Sequence, residues 1–233
     1  MTEQKRRRLL PLLLCGIAGC LLMMTSDYLM IYGDPTFRGS LAWLTEGAAR
    51  IPAWRNGLAM LLAFPAVACY AVGLFAIRSY LPREKHQRTY CALTALGLTP
   101  WLALHLFYTM VLFLFAWLTG NGYESVAFGA AEAMVRQFLW LVPVGEGLML
   151  LPFVYLFLVF ATGSSCYPRW MALNNPLIIY AIIKTITVYL PASAVKLAFI
   201  NGLMSECMLL WFLIFLIADG RENRLKSRTT PQT

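Results

Sequence analysis

Residues 9–32 read LLPLLLCGIAGCLLMMTSDYLMIY. A helix needs ~20 apolar residues to cross a bilayer, and this run is long enough, yet it carries an acid, Asp27, near one end. The same combination recurs along the chain: His105, Glu146, Lys184 and Glu206 also lie inside long apolar stretches. A charged side chain at the centre of a membrane helix costs ~3 kcal/mol or more. Several such groups in one small protein are accommodated most cheaply when they face one another or a wet interior. The expected fold class is therefore all-α: a polytopic membrane helical bundle with polar groups inside.

Composition excludes the other broad classes. The chain has 233 residues, 60% of them hydrophobic and 13% charged, where soluble proteins carry about 25% charged residues. The mean hydropathy is +0.65. This length fits a single membrane domain over residues 1–233. The net charge of +8 does not point to nucleic acid. Its Lys and Arg gather at Lys5–Arg8, Arg78–Arg88 and Arg221–Arg228, beside apolar segments, where basic residues set topology and meet anionic lipid. Membrane lipid is thus an expected partner, and nucleic acid is not. The cysteines Cys15, Cys20, Cys69, Cys91, Cys166 and Cys207 form no CxxC pair and read as small packing residues. With only His86 and His105 available, no metal centre and no cofactor are expected.

Six apolar segments are expected to span: about 9–32, 57–81, 89–118, 139–162, 171–190 and 194–218. The N-terminus, the second connection (Arg83, Lys85, Arg88) and the C-terminus are basic, whereas the connections holding Asp34 to Arg55 and Glu124 to Arg136 are mixed in charge. The positive-inside rule then places both termini in the cytoplasm. The outer connection at Leu41–Arg50 reads as a short interfacial helix anchored by Trp43, with Ser40 as its cap. Residues Glu124–Phe138 read as a second interfacial helix or an extension of the fourth span. Trp54, Trp117, Trp140 and Trp170 fall where belt residues sit, and Trp101 lies deeper.

At ~1.5 Å of rise per residue, Asp27, His105, Glu146, Lys184, Asn201 and Glu206 all fall in the middle or outer half of their spans. The inner half holds little beyond Asn174, Asn175 and Thr185. A cavity open outward and closed on the cytoplasmic side accounts for that distribution, and those six residues are the candidate ligand-binding set. Glu146 stands in Val142-Pro-Val-Gly-Glu-Gly-Leu148, where flanking glycines and Pro143 permit close backbone approach and a kink. Thr25 and Ser26 are placed to bond Asp27 locally, and Lys184 and Glu206 to pair across the last hairpin.

The segments Asp27-Tyr28-Leu29-Met30-Ile31-Tyr32 and Ile51-Pro52-Ala53-Trp54-Arg55, with Pro65, Tyr70 and Gly73, resemble an uncharacterised family of bacterial six-span membrane proteins. The resemblance covers mainly the first two spans. It implies a location in the inner (plasma) membrane and no established activity. The size is also similar to that of membrane sterol-isomerase-like proteins, but their His-x-x-x-Glu pattern is missing, since Thr109 stands four residues after His105. The several metal-binding histidines of membrane ceramidase-like hydrolases are absent too.

Three functions fit these residues. The first is binding or transport of a small amphipathic or cationic molecule. The second is a structural or assembly role without ligand. The third is an intramembrane enzyme acting on a lipid-like substrate, with His105 and Glu146 as an acid–base pair. The absence of GxGxxG, P-loop and HExxH patterns weighs against an enzyme.

Two outcomes are expected from this sequence. Single cysteines at Thr2 and Thr230 in a cysteine-free background should resist an impermeant label in intact cells, and one at Gly39 should react. Labelling of the terminal sites would overturn the orientation. Ile17-Ala18-Gly19-Cys20 matches a lipoprotein cleavage box, but Leu21 to Met24 continue the apolar run, so intact-mass measurement should find Cys20 uncleaved and unlipidated.

Overall fold

A computed structural model describes residues 3–31, 51–191 and 193–229. The expected interfacial helix at Leu41–Arg50 lies outside the described residues. Among those described, the structure is helical throughout: α1 (Glu3–Ile31), α2 (Ala53–Ile77), α3 (Glu84–Gly120), α4 (Glu124–Phe138), α5 (Leu141–Ala161), α6 (Pro176–Val188) and α7 (Ala194–Thr229), with short 3-10 segments at Arg78–Tyr80 and Arg169–Leu173. Five stretches are long and apolar enough to cross a membrane: Arg8–Met30, Ala53–Tyr80, Glu84–Gly120, Leu141–Ala161 and Gly202–Asp219.

Helix α1 lies between α2 and α7. It meets α2 through small residues: a Cβ added at Gly73 would stand 2.5 Å from Gly16 Cα and 2.9 Å from Phe212 Cζ, and one at Gly19 would stand 2.7 Å from Tyr70 N. Lipid tails are as apolar as leucine, so burying apolar surface gives little association between membrane helices, and close backbone packing supplies it instead. Gly97 does the same for α3 and α5, where an added Cβ would meet Leu148 O at 2.8 Å.

These contacts fix direction. Gly16 faces Gly73 and Ser26 bonds Ala59, so α1 and α2 are antiparallel. Gly16 faces Phe212 and Tyr28 packs on Gly202, so α7 also runs antiparallel to α1. His105 meets Ser26 and Thr109 meets Met30, making α3 parallel to α1. Phe153 packs on Trp211 and Phe160 on Phe215, making α5 parallel to α7. The main apolar core fills the half of the bundle nearer the N-terminus, around Leu13, Tyr70, Phe153, Phe160, Trp211 and Phe215.

Beyond it, α3 runs on for 37 residues in all, or ~55 Å, longer than the ~30 Å hydrocarbon layer. Its far end forms a hairpin with α4. Ala127, Ala131 and Val135, each one turn apart, face Val111, Leu112 and Phe115 in a second, smaller core, and Phe138 packs on Phe107 at 5.4 Å. Helix α4 therefore returns along α3 towards the start of α5, from which a turn at Leu139 and Trp140 separates it. Trp54, Trp117, Trp140 and Trp170 are exposed, and Trp101 packs edge-on against Tyr70 at 5.4 Å.

The expected continuous span over 171–190 is replaced by an irregular stretch and a 13-residue helix. The cause is local chemistry. Helix α5 ends at Gly163, whose φ of +73° suits only glycine comfortably, and Ser164 N–H closes the turn on Val159 O at 2.9 Å. Helix α6 then starts where Asn175 caps Leu177 N–H at 3.0 Å, with Pro176 in the first turn. Asn175 Nδ2 also donates to Phe153 O at 2.8 Å. Phe153 lies ~12 Å along α5 from its end, so the irregular stretch climbs back into the bundle before α6 begins. Met171, Ala172, Asn174 and Asn175 are buried.

The N-terminal side of the bundle is closed by a carboxylate. Tyr80 Oη donates to Asp219 Oδ2 at 2.7 Å, and Tyr167 donates to the other oxygen. Tyr80 stacks on Phe215 at 5.1 Å, tying the end of α2, the loop after α5 and the end of the apolar part of α7 together.

The close approach of α1 and α2 makes a prediction. Gly73→Ala should force the two backbones apart and cost about 1–3 kcal/mol, seen as a lower melting temperature in detergent. Gly57→Ala, where nothing lies within 4 Å of the added Cβ, should not lower it.

Candidate functional site

Where the two apolar cores meet, polar side chains from four helices converge. From α1 come Ser26, Asp27 and Tyr28, and α2 contributes the side chains of Arg55, Asn56 and Tyr70 with the backbone carbonyl of Ala59. From α3 comes His105, and α7 supplies Ser205 and Glu206. Each is placed by a helix contact already described. The α1–α2 crossing aligns Ser26 with Ala59, the parallel path of α3 brings His105 alongside, and the Gly202 notch lets Tyr28 lie against α7.

His105 stands between two neighbours on α1. Its Nε2 lies 3.0 Å from Ser26 Oγ and its Nδ1 lies 3.4 Å from Asp27 Oδ1. Ser26 Oγ donates to Ala59 O at 2.8 Å. A hydroxyl has one hydrogen; with that hydrogen on Ala59 O, Ser26 accepts from Nε2–H. One turn on, Thr109 Oγ1 lies 2.8 Å from the His105 backbone carbonyl and 3.0 Å from Met30 Sδ, its single hydrogen serving one acceptor at a time. Pro100, one turn and a residue below His105 on α3, lacks an N–H, and its carbonyl lies where an added Cβ at Gly145 would meet it at 3.1 Å. Ser26 is fully buried and Asp27 is 9% exposed. Ser26, His105 and Asp27 thus form a linear chain of polar groups inside the bundle.

Beside it, Ser205 Oγ donates to Asp27 Oδ2 at 3.4 Å, and Tyr28 Oη donates to Glu206 Oε1. Asp27 and Glu206 interact electrostatically. Among the described residues, Glu206 Oε2 and Asn56 Oδ1 are buried without a hydrogen-bond partner, and the buried Tyr70 hydroxyl has Ser205, Cys20 and Asp27 as polar neighbours. Arg55 reaches across from α2 to bond Tyr28 O at 3.0 Å.

The structure therefore brings Asp27, His105 and Glu206 together. Glu146 lies elsewhere, exposed on α5, with Tyr108 of α3 and Tyr180 of α6 as electrostatic neighbours. Lys184 is exposed on α6, and among the described residues no ion pair joins it to Glu206, whose Oε1 is held by Tyr28 instead. Asn201 falls on α7, with its side chain outside the described residues. The local bond expected from Thr25 or Ser26 to Asp27 is replaced: Thr25 Oγ1 bonds Leu21 O at 2.8 Å, Ser26 turns to α2 and α3, and Ser205 reaches Asp27.

Sequence reasoning missed Tyr28, Ser205 and the Tyr80–Asp219–Tyr167 group. One available signal was the repeat of a serine immediately before an intramembrane acid, in Ser26-Asp27 and Ser205-Glu206. Nothing comparable marks Tyr80 and Tyr167, which meet Asp219 from distant parts of the chain. Among the described residues no group of three or more His, Cys, Asp or Glu is arranged to hold a metal ion.

No curated protein and no solved structure matches this chain. A family model does, over residues 1–219, which takes in every helix that contributes to the polar cluster. The chain belongs to this family, DUF6796, a family of unknown function.

Proposed function

We propose that the protein binds a small cationic or amphipathic molecule at the Asp27–Glu206 cluster and carries it within or across the inner membrane. The observation that supports this most directly is Glu206. Its carboxylate sits inside the bundle with one oxygen held by Tyr28 and the other without a hydrogen-bond partner among the described residues, and a second acid, Asp27, stands close by. Two acids in an apolar surround repel each other and attract a cation. The apolar walls above and below suit an amphipathic body.

The proposed topology has six spans with both termini cytoplasmic. Helix α7 runs antiparallel to α1, so its end lies on the side where α1 begins. Helix α5 also ends on that side, and residues 162–193 must therefore return the chain to the far side before α7 starts. Helix α6 is ~20 Å long. Together with the ~12 Å climb of the irregular stretch to the level of Phe153, it covers a hydrocarbon layer of ~30 Å. The sixth span is on this view a broken one, built from a buried loop and a short helix.

A purely structural role is the second reading, and it too has an observation behind it. Tyr28–Glu206 and Ser205–Asp27 both join α1 to α7, and such bonds stabilise membrane bundles by ~0.6 kcal/mol on average. No observation favours a His105–Glu146 acid–base pair.

Tetraphenylphosphonium, a lipophilic cation, separates the two readings. Purified protein in nanodiscs should bind it, and Glu206→Gln should weaken binding by about tenfold or more, which is ~1.4 kcal/mol, while the variant still inserts and folds. Equal affinity in the wild type and in Glu206→Gln, with a lowered melting temperature in the variant, would establish the structural role instead.

A further inference from the structure

We infer that Ser26, His105 and Asp27 form a binding site for a single exchangeable proton, and that the Ser26 hydroxyl turns when the proton leaves. The geometry allows two states. In the first, Ser26 donates to Ala59 O and accepts from His105 Nε2–H, as the 2.8 Å and 3.0 Å distances place them. Nδ1 then faces Asp27 Oδ1 at 3.4 Å. Two lone pairs facing each other repel, so one further proton lies between these atoms, on the carboxyl or on the ring. Either way the pair is neutral overall, the cheap condition for buried groups.

In the second state that proton has gone. The pair carries one negative charge, and the remaining ring proton moves to Nδ1, where the carboxylate accepts it. Nε2 is now bare. Ser26 rotates its hydrogen away from Ala59 O and donates to Nε2. Ala59 O loses little, because in the interior of α2 (Ala53–Ile77) it also accepts the helical bond from residue 63. One proton leaves and no covalent bond between heavy atoms changes.

Among the described residues, the titratable and charged groups facing the site are Tyr28 on α1, Arg55 and Tyr70 on α2, and Glu206 on α7, and α3 supplies His105 itself. Arg55 is held on the Tyr28 carbonyl. Glu206 is the group that makes the site useful. A cation arriving beside Glu206 and Asp27 stabilises the second state and expels the proton, so binding of the cation and release of the proton become a single exchange. That coupling rests on the proposed cation site, whereas the proton site itself does not.

Histidine nitrogen NMR tests it, because the chain has only two histidines and His86→Gln leaves His105 alone. With full-length protein labelled at the histidine nitrogens in lipid bilayers, raising the pH from about 5 to about 9, which brackets the ~6.5 of free imidazole, should convert Nε2 from protonated to bare in one step. Nδ1 should be protonated at the alkaline end. Asp27→Asn should abolish the step, and Ser26→Ala should displace it by removing the hydroxyl that stabilises bare Nε2. A proton retained on Nε2 throughout, or a bare Nδ1 at alkaline pH, would overturn the proton site. Adding tetraphenylphosphonium at the midpoint should drive Nε2 towards the bare state. If the pH step is present and the cation leaves it unmoved, the coupling fails while the proton site stands.

Discussion

The approach of α1 to α2 at Gly16 and Gly73 is the constraint on which the rest of the bundle depends. In lipid, burying leucine against leucine gains almost nothing over leaving it against an acyl chain. Helices associate where their backbones come close enough for dispersion and polar contacts to add up. An added Cβ at Gly73 would stand 2.5 Å from Gly16 Cα, so neither position has room for a side chain. This contact also sets the vertical register of α1 against α2. One register brings Ser26 level with Ala59, and a slip of one turn would remove the hydrogen bond between them. Phe212 touches both glycines, so the same point sets α7, and with it the height of Ser205 and Glu206 relative to Asp27.

Once α1 is fixed, polar groups have few places to go. Asp27 lies where α1, α3 and α7 meet, and its partners are drawn from the two neighbours: His105 from α3 and Ser205 from α7. The cluster sits between two apolar cores of different character. The main core below it is rich in rings, with Trp211 edge-on to Phe153 and to Phe215, and is clamped at its far end by Tyr80 and Tyr167 on Asp219. The smaller core above it is built on alanines of α4.

Much of this was legible in the residues, for physical reasons. Apolar length marks membrane helices because every backbone group in lipid must be satisfied within the segment, and five of the expected spans appear as long helices. The cost of isolated charge points to convergence, and of the candidate set Asp27, His105 and Glu206 lie together while Glu146 and Lys184 do not. Hydropathy could not reveal the broken path after α5, because Met171 to Leu190 is apolar whether or not it is helical. The Asn174-Asn175-Pro176 stop was the signal, a buried cap followed by a first-turn proline. Glu146 illustrates a different limit. Its flanking glycines pointed to an interior position, but it is Gly145 that packs inward, on Leu104 and the Pro100 carbonyl. A helix turns ~100° per residue, so burying Gly145 carries Glu146 round towards the outside. Which of two adjacent residues faces in depends on the neighbouring helix, and a single sequence without its partner surface does not contain that choice.

The two halves of the polar cluster also differ in what they can tolerate. The Ser26–His105–Asp27 chain satisfies nearly all its atoms from within the protein and is neutral when it holds its proton. The Glu206 half does not close on itself: Tyr28 occupies one carboxylate oxygen and the other has no hydrogen-bond partner among the described residues. A bundle held together only by polar bonds gains nothing from an unsatisfied buried oxygen, which costs ~1–3 kcal/mol or more when the group is charged. A Gln in the same place would bond Tyr28 without that burden. An acid at Glu206, one position after Ser205 and close to Asp27, is easier to account for if the free oxygen meets something that comes and goes. That asymmetry, one half self-contained and the other open, is the strongest physical ground for treating the cluster as a site and not as a seam.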